Sequence, residues 1–183
     1  GTTLAQEFSS GPVNRDDILY QVLLSAVLDA REELIITTPY FVPDEGLVQA
    51  LMAAAHRGVR VQLIVPKLND STLVAWSSRS FYSALLGAGV KIAEFKGGLL
   101  HTKSLLIDQR IAIFGSVNFD QRSLRLNFEI SLIVYDEHFC TELKKLVSSY
   151  LKHSDQINAK TWERRPKWRT LLENTAHLAS PLL

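Results

Sequence analysis

The chain has 183 residues, enough for one domain with a substantial hydrophobic core. Hydrophobic residues make up 46% of it and charged residues 21%, which is typical of a globular protein. The net charge of +1 gives no general reason to expect a polyanionic partner. No window approaches the roughly eighteen uninterrupted apolar residues of a membrane span. The single cysteine, Cys140, cannot form an internal disulfide.

The first part of the sequence predicts a polar lead-in, a helix and a strand. Gly1–Asn14 is polar and rich in turn-forming residues. Asn14 or Asp16 is suited to cap a helix that runs to about Arg31. Glu33–Thr38 is a β-branched run typical of a buried strand, and the proline-containing stretch after it favours an extended loop.

Alternating helices and strands continue as far as residue 95. Asp44 is a typical N-cap, and Gly58 is a typical helix stop. The patterns predict a helix over Glu45–Arg57, a strand over Val59–Pro66, a helix over about Leu73–Leu86 and a strand over Val90–Phe95. Strands and helices that alternate through short connections indicate an α/β fold with helices on the faces of a sheet.

The stretch LHTKSLLIDQRIAIFGSVN holds the residues best suited to chemistry. His101 and Lys103 are two residues apart in an apolar alternating run, so on a strand they share a face. Asp108 interrupts the run and predicts a hairpin turn, after which a second strand would return Ser116 and Asn118 beside the first pair. This set suits a phosphate ester, with Lys103, Ser116 and Asn118 on the phosphate and His101 as nucleophile or acid–base.

The hairpin is followed by a predicted polar loop, a strand and a long helix. The loop is Asp120–Ser123, the strand is Asn127–Tyr135, and Asp136 caps a helix that ends near His153. Glu129 is the one acid among the apolar residues of that strand, and it needs a partner if it is buried. This requirement favours a place for Glu129 in the site.

The C-terminal segment differs in composition from the rest of the chain. We expect a catalytic domain over residues 1–155 and a helical segment over residues 156–183, in which Lys160–Arg169 holds five basic residues. In one interpretation its leucines dock on the domain. In another it lies in a membrane interface, with Trp162 and Trp168 at the lipid headgroups. A third is packing against a part of the protein outside this sequence.

The pattern HxK(x)4D(x)6GSxN resembles the HKD signature of the phospholipase D superfamily at every specified position. The resemblance implies an α/β/α sandwich whose mixed sheet is flanked by helices on both faces. It also implies a covalent phosphohistidine, with no metal and no cofactor. An acid placed like Glu129 supports the nucleophilic histidine in that family, whereas Asp108 either supports catalysis or only caps the hairpin.

The mechanism of that superfamily needs two such histidines, and this sequence has one HxK motif. Segments such as TTPYFVPDEGL and GSVNFDQRSLRLNFEISL resemble the carboxy-terminal half of bacterial cardiolipin synthases. The resemblance implies a phosphatidyltransferase that joins two phosphatidylglycerols into cardiolipin and releases glycerol. The missing half-site would come from an amino-terminal HKD half or from a second copy of this chain.

The same resemblance implies a phosphatidylglycerol substrate, a membrane surface as partner and a location at the bacterial inner membrane, anchored by amino-terminal segments absent from this sequence. The alternative within the superfamily is a hydrolase, either a phospholipase or a nuclease, that works as a homodimer. The near-neutral charge and the basic, Trp-rich tail fit lipid better, so we expect no nucleic-acid partner. A third interpretation is a non-catalytic module that binds phosphorylated headgroups.

Overall fold

The computed structural model describes residues 3–11 and 17–178. The strands are β1 (Leu4–Ser10), β2 (Glu33–Thr37), β3 (Phe41–Val42), β4 (Arg60–Pro66), β5 (Lys91–Phe95), β6 (Ser104–Ile107), β7 (Ile111–Gly115), β8 (Phe119–Asp120), β9 (Glu129–Tyr135) and β10 (Ser154–Gln156). The helices are α1 (Ile18–Asp29), α2 (Glu45–His56), α3 (Thr72–Ser80), α4 (Tyr82–Gly87), α5 (Gln121–Arg125), α6 (Glu137–Lys152), α7 (Ala159–Glu163) and α8 (Lys167–His177). The elements therefore follow the predicted α/β alternation, with additions at both ends.

Eight of the strands form one mixed sheet in the order β1-β9-β7-β6-β2-β4-β5-β10. The β2–β4 and β4–β5 pairs are parallel, and the other pairs of this sheet are antiparallel. β3 and β8 form a separate parallel pair. The predicted hairpin is confirmed as β6–β7 and lies in the middle of the sheet, directly beside β2.

Both faces of the sheet are covered, because each carries its own hydrophobic core. The larger core includes Leu23 of α1, Leu51 of α2 and Leu85 of α4. The smaller core lies under α6 and includes Cys140 and Val147. The predicted α/β/α sandwich is therefore confirmed, and burial of Cys140 agrees with a packing role for this thiol.

The N-terminal prediction is wrong in detail. Leu4–Ser10 was expected to be polar and turn-rich, yet it is a strand that pairs antiparallel with β9 along its whole length. The mainly exposed side chains of β1 hide the pattern of a strand, because at a sheet edge the backbone pairing decides the structure. The proposed caps Asn14 and Asp16 lie outside the described residues.

Two further local predictions are corrected. The helix predicted over Leu73–Leu86 is divided at Phe81 into α3 and α4. The loop predicted over Asp120–Ser123 ends β8 and begins α5, because the Asp120 carboxylate accepts a hydrogen bond from the Ser123 backbone N–H at 2.6 Å. The predicted N-cap Asp44 is confirmed, since it accepts from the backbone of α2.

The C-terminal segment packs on the same body as the rest of the chain. β10 pairs with β5, so the expected division between residues 155 and 156 falls inside a strand. Trp162 packs on Tyr82, with ring centroids 5.2 Å apart, and the interfacial interpretation is wrong for this side chain. Trp168 is 58% exposed. Within residues 3–11 and 17–178, the structure has no helix with the length and apolar character needed to cross a bilayer.

Candidate active site

Three of the signature residues, His101, Lys103 and Asn118, lie at one end of the sheet, beyond the carboxyl end of β2. β6 runs antiparallel to β2 and places Ser104 opposite Thr37, the last residue of β2. His101 and Lys103 precede Ser104 and therefore extend past this end. β7 runs back beside β6, so the chain after it returns Asn118 to the same place. Ligands of α/β sheets usually bind at this end of the parallel strands.

His101 is exposed, and its ring stands edge-on to that of Tyr40, with centroids 6.3 Å apart. The Tyr40 hydroxyl donates to the carboxylate of Asp70, at 2.8 and 3.0 Å from its two oxygens. Burial and this hydrogen bond raise the pKa of Tyr40, so the hydroxyl keeps its proton and the ring stays fixed. The aromatic edge thus bounds one side of an imidazole that is open to a substrate.

Lys103 is partly buried beside two carboxylates. Its Nζ donates to the main-chain carbonyl of His101 at 3.1 Å. Burial lowers the pKa of Lys103, while the charges of Glu129 and Asp120 act in the opposite direction. The structure therefore brings Lys103 and Glu129 into one electrostatic cluster and adds Asp120, which was not among the residues predicted from the sequence.

Asn118 is held by a chain of hydrogen bonds that begins at Asp120. The Asp120 carboxylate accepts from the Ser123 hydroxyl at 3.3 Å, and the Ser123 hydroxyl accepts from Asn118 Nδ2 at 3.0 Å. Asp120 is buried, and burial raises its pKa. The buried Oδ1 of Asn118 has no hydrogen-bond partner among the described residues. This chain fixes the carboxamide in one orientation beside the signature pair.

Glu129 begins β9, and its carboxylate accepts from Asn127 Nδ2 at 3.2 Å. Among the described residues, no hydrogen bond joins Glu129 to His101. The nearby Ser116 hydroxyl accepts from the Ile130 backbone N–H at 3.0 Å, so it is already engaged with β9. Ser116 therefore holds the start of the strand that carries Glu129. These contacts favour a positioning role for Ser116 over direct contact with phosphate.

Asp108 lies at the opposite end of β6 from His101. The four residues of β6 separate the two positions by about 13 Å of strand. The Asp108 carboxylate accepts backbone N–H groups of Arg31, Glu32 and Glu33, with shortest distances of 3.0, 2.8 and 2.8 Å. Of the two roles that the sequence leaves open, these contacts favour the structural one.

A family model described as "Cardiolipin synthase, PLD-like domain" matches residues 23–151. The chain belongs to this family of phospholipase D-like domains. The domain is 49% identical over 178 residues to Cardiolipin synthase A of Serratia proteamaculans, a match that covers 97% of the chain and 37% of that relative. The chain thus spans little more than a third of the length of this curated relative.

Solved structures share the fold of this phospholipase D-like domain. Nuc, a phospholipase D family member from Salmonella typhimurium, has a TM-score of 0.73 and 16% identity, and the match covers 85% of this chain and 99% of that chain. Phosphatidylserine synthase of Haemophilus influenzae has a TM-score of 0.77 and 18% identity, with 98% and 48% covered. Because both sequence identities are low, these two structures establish the fold of the chain and nothing about its activity.

A cavity of about 260 Å³ opens beside the site of this phospholipase D-like domain. Its wall includes Tyr40, Val74, Asn118, Asp120 and Asn127. Of these five residues, the sequence predicts only Asn118 as a site residue. It does not predict that the other four line a cavity beside it. For Asp120 a signal existed, since Asp is a favoured helix N-cap residue and Asp120 caps α5. Tyr40 gave none, because its contact with His101 joins residues 61 positions apart.

No cluster of three His, Cys, Asp or Glu side chains in residues 3–11 and 17–178 is placed to hold a metal ion. The cationic group of the site is the Lys103 ammonium, and the Asn118 carboxamide is a neutral donor at the same end of the sheet. Together with the His101 imidazole they can bind a phosphate oxygen, donate a hydrogen bond to a second one and attack or protonate. This set of groups suits a phosphate ester.

Proposed function

We propose that this chain supplies one of the two histidine half-sites of a phosphatidyltransferase that makes cardiolipin. The observation that carries the proposal is the meeting of His101, Lys103 and Asn118 at one end of the sheet in a domain 49% identical to a protein named Cardiolipin synthase A. The chain spans 37% of that relative, so the second half-site is expected from the rest of a longer protein or from a second copy.

The proposed reaction runs in two displacements at phosphorus. In the first, one histidine attacks the phosphorus of phosphatidylglycerol, the P–O bond to glycerol breaks, and the second histidine gives its proton to the departing glycerol oxygen. In the second, the primary hydroxyl of another phosphatidylglycerol gives its proton to that same second histidine and attacks phosphorus. The P–N bond breaks and cardiolipin forms. His101 supplies one of these two imidazoles.

Lys103 and Asn118 are proposed to hold the non-bridging phosphate oxygens. The Lys103 ammonium neutralises charge that builds on these oxygens as the phosphorus becomes five-coordinate. Asn118 adds a donor whose direction is set by Ser123 and Asp120. Glu129 acts through Lys103, because burial lowers the pKa of Lys103 and the negative charge of Glu129 opposes that shift, which favours the protonated ammonium.

The test uses vesicles that contain phosphatidylglycerol, a chelator, and mass spectrometry of the lipid products. The chain is assayed alone and together with the preceding part of Cardiolipin synthase A from Serratia proteamaculans. Cardiolipin that disappears in His101→Ala and persists in His138→Ala supports the proposal. His138 is a matched control because it is an exposed histidine on α6.

Two results would contradict this function. Phosphatidic acid without cardiolipin would identify a hydrolase, since water would then be the acceptor in the second displacement. Failure to form any product in either arrangement, with folded protein and bound lipid, would favour a module that only binds headgroups. The proposed site at a membrane surface follows from the lipid nature of the substrate and is tested separately below.

A further inference from the structure

A second cavity, of about 430 Å³, lies between α3 and the C-terminal helices α7 and α8. We call it the tryptophan cavity because all three tryptophans of the sequence line it. Its wall contains Trp76 and Arg79 from α3, and Trp162, Arg165, Trp168 and Arg169 from the C-terminal segment. No residue proposed for catalysis lies in this wall, so the cavity is separate from the candidate active site.

The inner wall of the tryptophan cavity is fixed by paired charges. Arg165 forms a two-pronged ion pair with Glu173, with N–O distances of 2.7 and 3.0 Å, and its guanidinium lies over the ring of Trp162. Arg79 pairs with Glu94 at 3.1 Å. Because these cations are already neutralised, the inner wall is a rigid support rather than the source of an anion site.

The outer rim has a different character, since it is apolar and exposed. Trp168, Leu171 and Leu172 are 58%, 68% and 40% exposed. Their spacing puts them on one face of α8, while Glu173 and Ala176 face inward. We call the three exposed residues the α8 face. Apolar side chains aligned along an exposed helix face indicate a contact surface rather than isolated exposure.

Positive charge borders the α8 face. Residues 159–178 hold five basic and two acidic residues, although the whole chain has a net charge of only +1. One of the two acids, Glu173, is used by Arg165. Lys167 and Arg169 flank Trp168, and within the described residues neither has an ion-pair partner. The guanidinium of Arg169 lies 5.4 Å from the centroid of the Trp168 ring.

We propose that the α8 face docks the chain on an anionic lipid bilayer. The Trp168 ring and the two leucines enter the boundary between headgroups and acyl chains, and Lys167 and Arg169 contact lipid phosphates. Charge complementarity selects this occupant, because an apolar stripe bordered by unpaired cations matches an acidic membrane surface. The proposal does not depend on catalysis, since docking is measured without turnover.

The position of α3 connects docking with the candidate active site. Val74 of α3 lines the 260 Å³ cavity that also contains Asn118, and Arg79 of the same helix lines the tryptophan cavity. These two positions are about 8 Å apart along the helix axis. The helix that packs against α8 therefore also borders the cavity of the candidate active site.

The test measures sedimentation with vesicles of phosphatidylcholine alone or mixed with phosphatidylserine. Phosphatidylserine supplies the negative charge without being the proposed substrate, so binding through the active site is avoided. We expect binding only to the mixed vesicles, with an affinity that falls about tenfold or more in Arg169→Glu. Arg110→Glu is the matched control, because Arg110 is exposed on the β6–β7 turn and the charge change is the same.

A second variant tests the apolar part of the α8 face. Trp168→Ala combined with Leu171→Ala should weaken binding about tenfold while circular dichroism and thermal unfolding stay unchanged, because both side chains are more than half exposed. Equal binding of wild type and both variants would overturn the proposal, as would equal binding to uncharged vesicles. A third outcome would also overturn the proposal. If the variants bind vesicles like the wild type but fail to assemble with the preceding part of the synthase, the α8 face is a protein interface.

Discussion

Replacing Asp108 separates a structural role of this signature residue from a catalytic one. Asp108→Ala removes the acceptor of three backbone N–H groups, at 3.0, 2.8 and 2.8 Å. A hydrogen bond to a buried charged group contributes about 1.5–3 kcal/mol, but two of these three amides belong to exposed residues and water replaces part of the loss. Asp108 also has φ of 50°, which Asp tolerates better than Ala by about 1 kcal/mol. We expect a total loss of about 2–4 kcal/mol.

The assay is urea unfolding of wild type, Asp108→Ala and Asp108→Asn. Asn keeps one side-chain oxygen and tolerates the same backbone conformation, so its loss should be about 1 kcal/mol. Burial raises the pKa of Asp108, but the amides of Glu33, Glu32 and Arg31 outweigh it, so the net pKa is lowered. The carboxylate therefore stabilises the fold above the ordinary Asp pKa of about 3.9, and this contribution disappears as the pH falls through the lowered value.

Two results would refute this reasoning about Asp108. One is a loss of less than about 0.5 kcal/mol in Asp108→Ala, which would mean that the three amides are satisfied without the carboxylate. The other is a large fall in turnover at full stability, which would place Asp108 in catalysis despite its position at the far end of β6. A fall in activity that follows the unfolded fraction, in contrast, agrees with the structural role.

Three further predictions concern other contacts. Glu129→Gln removes a negative charge that raises the pKa of Lys103, so we expect lower turnover and a shift of the alkaline limb of the pH–activity profile to lower pH. An alkaline limb that does not move would contradict the charge interaction between Glu129 and Lys103. Gly115→Ala would place a Cβ against the Ile130 carbonyl oxygen of β9, well inside van der Waals contact, so denaturant unfolding should show a loss of about 3 kcal/mol or more. A neutral result would mean that β7 and β9 separate easily. Glu173→Ala leaves the Arg165 guanidinium without its partner, and the free energy of unfolding should fall by about 3 kcal/mol in the same denaturant assay. A fall of less than about 1 kcal/mol would mean that the pair behaves like an exposed one.

The central part of the fold could be predicted because its signals are local. Strands β2 and β4 are rich in β-branched residues, and Asp44 and Asp136 cap their helices as expected. The β6–β7 hairpin follows from one polar interruption in an apolar run. That local signal also placed His101, Lys103 and Asn118 at the same end of the sheet, since a hairpin returns the chain to where it started.

The missed features depend on contacts between distant parts of the chain. Strand β1 has exposed side chains on both faces along much of its length and is defined by its pairing with β9, whose partner residues lie 119–131 positions later. Tyr40 contacts His101, 61 positions later, and its hydroxyl donates to Asp70, 30 positions later. The structural roles of Asp108 and Ser116 could not be predicted either, because their hydrogen-bond partners are backbone groups of β2 and β9. No local pattern in a single sequence predicts which of these distant residues pair.

The strands at the two edges of the sheet have a consequence for dissecting the protein. The family match over residues 23–151 leaves out both β1 and β10. A fragment cut at those positions would expose all seven backbone positions of β9, next to the already exposed Ile130 and Leu132. An uncovered apolar edge pairs readily with other chains, so such a fragment should aggregate. The outermost strands thus cover the two edges of the sheet, and the useful unit for expression begins before β1 and ends after β10.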